Sequence, residues 1–120
     1  MAPLSSTPHR LAINCIPVYY AGGEKISKFR GGDERARGPE DWVGSTAALP
    51  AALLAGSDLT AGISRLEEGT LLREAVRADP TGWLGPELGR SLDDGDVGVL
   101  VKLLDAGERL PVHCHPSRGK

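Results

Sequence analysis

The sequence predicts a β-rich α+β chain with one or two short helices, and three observations carry that reading. Sixteen Gly and nine Pro among 120 residues punctuate the chain too often for a regular helical bundle. A nearly continuous, Val-rich apolar run from Val97 to Leu104 has the composition of a strand buried on both faces. Helical spacing is clearest in one stretch, Thr70 to Ala78. The length suits one domain. We expect a flexible tail over residues 1–12, rich in Ser, Thr and Pro, and a folded part over 13–120.

Each element follows from local chemistry. Ile, Val and two Tyr between Ile13 and Tyr20 fit a pleated surface, so a strand is expected around Val18 to Ala21, ended by Gly22-Gly23. Glu24 to Arg30 spaces Ile26 and Phe29 three apart, enough for two helical turns closed by Gly31-Gly32. A charged loop follows to Glu40, and Trp42 to Ala48 reads as extended. Leu59 to Leu66 alternates imperfectly around Ile63 and is expected as a strand. In Thr70–Ala78, Leu71, Leu72, Ala75 and Val76 share one face, Thr70 can cap, and Asp79-Pro80 stops the helix. A second short helix is expected over Pro86–Leu92. After the Val97–Leu104 strand, a turn over Asp105–Glu108 leads into a second strand, Arg109 to His115, antiparallel to the first.

Charge and composition exclude several classes of function. Fourteen basic and sixteen acidic residues are interspersed, so no basic footprint for nucleic acid or an anionic membrane exists. The longest apolar stretch, Ala47 to Ala55, is broken by Pro50 and is too short to span a bilayer. The first ten residues lack the pattern of a secretory signal, which makes the cytoplasm the expected compartment. Cys15 and Cys114 are distant and show no CxxC spacing, so both are read as free thiols.

His113-Cys114-His115 is where residue type and spacing point to chemistry. On a strand, side chains alternate faces, so the two imidazoles of an HxH pair reach one metal ion while Cys114 faces away. Imidazole suits zinc, iron, nickel and copper, and the pair alone does not choose among them. Lys102 is the single charge in the Val97–Leu104 run; by itself it reads as a stem crossing the sheet with its amine in water. Trp42 and Trp83 read as packing residues, Glu40 and Asp41 as a solvated loop pair, and His9 as a tail histidine.

A glycine turn leading into a strand with HxH resembles the first half of the cupin metal motif. The segment Val99 to Pro116, VLVKLLDAGERLPVHCHP, resembles more closely the corresponding segment of type I mannose-6-phosphate isomerases, aligning without a gap from Lys102 to His115-Pro116. Upstream, Tyr19-Tyr20-Ala21-Gly22-Gly23, Glu40-Asp41-Trp42-Val43-Gly44-Ser45, Leu71-Leu72-Arg73-Glu74-Ala75-Val76 and Trp83-Leu84-Gly85 follow the family's segments in order. The resemblance implies a partial cupin-like jelly roll or β-barrel belonging to a metal-dependent isomerase of sugar phosphates, mannose 6-phosphate to fructose 6-phosphate.

Carried over residue by residue, His115 corresponds to a metal-binding histidine, His113 stands at a glutamine ligand, and Lys102 matches a lysine of the sugar-phosphate pocket. The implied cofactor is a divalent metal, zinc foremost, and the implied partner is the sugar-phosphate substrate. Pro111 replaces a serine, Ala21 stands near an expected Trp, and Ser117 replaces an acidic residue. The family's remaining ligands, a glutamate and a later histidine, would lie beyond Lys120, so the chain is expected to be an N-terminal portion of the enzyme, inactive alone. Another metal-binding cupin, such as an oxygenase, and a non-catalytic fragment stay open as alternatives.

Overall fold

The structure, a computed structural model, describes residues 8–50, 58–92 and 94–114. Along the chain come helix α1 (Lys25–Phe29), a 3-10 turn (Glu34–Ala36), strand β1 (Glu40–Trp42), helices α2 (Leu72–Ala78) and α3 (Pro80–Ser91), and strand β2 (Lys102–Leu104). The class is α+β, with a two-stranded antiparallel sheet and few helices. In its register Glu40 faces Leu104, Asp41 faces Leu103 and Trp42 faces Lys102. The extended segment before α1 lies against the sheet: Ile16 N–H donates to the Glu40 carbonyl at 3.1 Å, and Trp42 N–H to that of Asn14 at 3.0 Å.

Two apolar clusters support the framework. Leu66, Leu72, Ala75 and Val76 form one, with Leu11, Trp83 and Val97 packed on it; Ile16 and Leu49 form the other, with Val18 and Trp42. Both tryptophans therefore pack as expected. The helical face over 72–76 is also as expected, because the spacing that suits a helix is the spacing that fills this cluster.

The Pro80 stop signal has a second half. Asp79 accepts the Gly82 N–H at 3.0 Å, and Pro80 occupies the first turn of α3, where its missing N–H costs nothing. Gly85, at φ 79° before Pro86, bends α3, so the expected helix after Pro86 is the second half of a longer kinked element.

The strand expectations need more correction. No strand forms over Val18–Ala21, where Pro17 removes a ladder donor and the chain bends at Tyr19 and Tyr20. Leu59–Leu66 runs through turns, with Gly62 at φ 95° breaking the extended path. Of the Val97–Leu104 run only Lys102–Leu104 is strand, and it is not buried on both faces: Val99 is 66%, Val101 55% and Leu104 53% exposed. Its partner is β1, and no second layer covers it among the described residues.

Arg109–Cys114 does not return along β2. Gly107 N–H donates to the Ala21 carbonyl at 2.7 Å and the Glu108 carboxylate takes the Ala21 N–H at 3.1 Å, so the turn docks on residues 21–23. Pro111 further removes a donor that a ladder would need. His115 lies outside the described residues, as do residues 1–7 of the expected tail. From His9 onward that tail is docked: the His9 ring sits 5.3 Å from Trp83, and Leu11 bridges Leu66.

Candidate functional site

Strand β1 carries two adjacent carboxylates, and strand alternation sends them to opposite faces. Both are buried, Glu40 at 7% and Asp41 at 0% exposure, which corrects their reading as a solvated pair. A buried carboxylate must be hydrogen-bonded or paired, and each finds its own partners.

Glu40 accepts the Tyr20 hydroxyl on Oε1 through a short hydrogen bond. Its Oε2 accepts the Trp42 indole N–H at 2.8 Å and lies 3.4 Å from Lys102 Nζ. Burial alone would raise the Glu40 pKa, but the hydrogen bonds from Trp42 and Tyr20 and the Lys102 charge outweigh it and hold the carboxyl below its ordinary range. Burial, then the hydrogen bond to Glu40, pushes the Tyr20 hydroxyl up, so it stays protonated at neutral pH. Lys102 Nζ is thus held from one side by a carboxylate, and its side chain remains 36% exposed.

Lys102, Glu40, Tyr20 and His113 line one cavity of about 470 Å³, completed by apolar groups such as Val18 and Leu104. The structure therefore brings together Lys102 and His113, the two sequence-derived candidates that it describes. His113 Nδ1 lies 3.3 Å from the Pro111 carbonyl oxygen, which can only accept; donation from Nδ1–H leaves Nε2 as the ring's basic atom. That is the tautomer a metal-ligating imidazole adopts. No group of three or more His, Cys, Asp and Glu side chains able to hold a metal occurs among the described residues. The donor chemistry at His113 fits a metal ligand, and its HxH partner His115 is outside the described residues.

On the other face, Asp41 Oδ2 accepts the Arg30 Nε–H at 2.8 Å and Oδ1 accepts the Asn14 N–H at 3.0 Å. Arg30 Nη2 also lies 2.8 Å from Oδ2 but is not aligned to donate, so the pair is one hydrogen bond plus charge attraction rather than a fork.

Tyr20 and Glu40 were missed as site residues by sequence reasoning. A usable signal existed: once β1 and β2 pair, Glu40 lies diagonal to Lys102 on one sheet face, a cross-strand acid–base pair. No family model, curated protein sequence or solved structure matches the chain. No helix among the described residues is long and apolar enough to cross a membrane.

Proposed function

We propose that this chain contributes the substrate cavity of a cytoplasmic, metal-dependent sugar-phosphate isomerase of the mannose-6-phosphate isomerase type, within the cupin superfamily. The observation that supports this reading above all is the convergence of Lys102, Glu40 and His113 on one cavity from three separate stretches of chain. The ordered resemblance of those stretches to the family's segments supports it further.

Interconversion of an aldose and a ketose phosphate moves a proton between adjacent carbons through an enediol-like intermediate whose negative charge falls on oxygen. Lys102 meets the anionic substrate, as a compact ammonium charge suited to phosphate or sugar oxygen. Glu40 fixes that ammonium, and is itself fixed by Tyr20 and Trp42, so the charge is positioned before substrate arrives. His113, with His115, would hold a divalent metal, zinc as the family resemblance implies, which when bound supplies Lewis acidity for the sugar oxygens.

Calorimetric titration of the 120-residue chain with mannose 6-phosphate and with mannose tests the reading. The phosphate ester is expected to bind and the free sugar not to, with Lys102→Ala weakening the ester about tenfold or more, the value of a lost charge-assisted contact. Equal binding of ester by Lys102→Ala and wild-type protein overturns it.

A further inference from the structure

The chain from Arg10 to Ile16 is extended and uses only one of its two edges. Ala12 N–H donates to the Arg65 carbonyl at 2.9 Å, Ile16 N–H goes to Glu40, and the carbonyls of Arg10 and Asn14 accept from Glu67 and Trp42. In an extended segment alternate residues aim their peptide groups to opposite sides. The even-numbered residues therefore serve the fold, and the peptide groups of Leu11, Ile13 and Cys15 face outward, without a backbone partner among the described residues. Beside this edge is a cleft of about 830 Å³ lined by Leu11, Ile13, Cys15, Arg10, Arg30 and Arg35, with Glu67 its one acid.

An edge offering donors and acceptors in alternation is a template for another strand. The three guanidinium groups define what that strand must carry. Asp41 holds Arg30 from the buried side and Asp33 grips Arg35 through Nε and Nη2, so both are oriented, while the Arg10 side chain has no partner among the described residues. A second copy pairing through the same edge would set arginines against arginines. Residues 1–7, 51–57 and 115–120 contain no Asp or Glu, so those segments lack the complementary charge.

We propose that the outer edge of Leu11–Cys15 is a docking site for an extended acidic segment of another protein, which adds as a strand and places its carboxylates against Arg10, Arg30 and Arg35. Main-chain hydrogen bonds supply the affinity and the arginines the selectivity.

The probe is an acetylated, fluorescent hexapeptide alternating glutamate and valine, read by anisotropy, beside its lysine–valine counterpart and a backbone N-methylated form. The acidic peptide should bind, and the other two should bind at least about tenfold more weakly. Ile13→Pro removes an outward N–H that serves no internal bond, and it should weaken the acidic peptide similarly, as should Arg10→Glu combined with Arg35→Glu. Equal binding of the acidic and lysine peptides, or undiminished binding of the N-methylated peptide by wild-type protein, overturns the proposal. So does failure of the acidic peptide to bind, or self-association of the chain that Ile13→Pro abolishes.

Discussion

Glu40 and Asp41 are sequence neighbours that stabilise opposite sides of the same short strand. Glu40 holds the Lys102 ammonium at 3.4 Å toward the candidate substrate cavity, and Asp41 holds the Arg30 guanidinium at 2.8 Å toward the arginine-lined cleft. Because β1 is only three residues long, both ion pairs also fix its position between the N-terminal segment and β2.

Asp41→Asn is expected to be among the most destabilising conservative changes in the chain. The substitution keeps size but leaves Arg30, whose side chain is only 20% exposed, without a counter-charge. Removing one member of a buried pair costs about 3 kcal/mol or more. Urea unfolding reads this directly, with Asp33→Asn as the control: that pair is exposed on the Arg35 side, and its loss should leave the midpoint nearly unchanged.

Acid should remove the contribution of Glu40. Its folded-state pKa lies below the ordinary 4.5, so the stabilisation is present above that value and is lost as pH falls through the depressed folded pKa. Unfolding free energy measured from neutral pH downward should fall more steeply in wild-type protein than in Glu40→Gln. Parallel acid limbs for the two proteins would show that Tyr20, Trp42 and Lys102 do not favour the carboxylate.

Two glycines with similar backbone angles should behave differently. Gly62 and Gly69 sit at φ 95° and 106°, both strained for an L side chain. A Cβ at Gly62 would come within 2.8 Å of Leu49 N and 2.9 Å of the Ala47 oxygen, whereas at Gly69 nothing lies within 4 Å. Gly69→Ala should cost about 1 kcal/mol from backbone strain, and Gly62→Ala clearly more. Thermal unfolding of the two variants side by side checks the ranking.

The parts of this fold legible in sequence are those set by local periodicity. Leu72, Ala75 and Val76 lie on one helical face whatever surrounds them, whereas Thr70, expected to cap, does not: Leu71 holds the N-cap position without a side-chain cap. Val97–Leu104 shows the limit: its apolar composition suits a doubly covered strand, but coverage is supplied by other elements, and the described residues place only β1 beside it. Asp79-Pro80 reads in sequence only as a stop, although the residues that stop one helix here also cap the next. The site follows the same division. Lys102 and His113 were found by type and spacing, while the burial of Glu40 depends on Tyr20 and Lys102, 20 and 62 positions away, a pairing visible only after β1 meets β2.

The metal proposal makes its own prediction, independent of any turnover. Nδ1 of His113 lies beside the Pro111 carbonyl, the second-nitrogen contact that a metal-ligating imidazole makes, and His115 is the partner at HxH spacing. Two imidazoles fill half of a tetrahedral sphere and leave the rest to water, so zinc should bind the 120-residue chain weakly. Calorimetry should show that His113→Ala and His115→Ala each abolish the binding, whereas Cys114→Ser leaves it intact. The Hε1 and Hδ2 resonances of both rings should shift together in proton NMR as zinc is added. Zinc binding that persists in both histidine variants, or that disappears in Cys114→Ser alone, would assign the metal to a different set of ligands and separate His113 from the cavity chemistry proposed for Lys102.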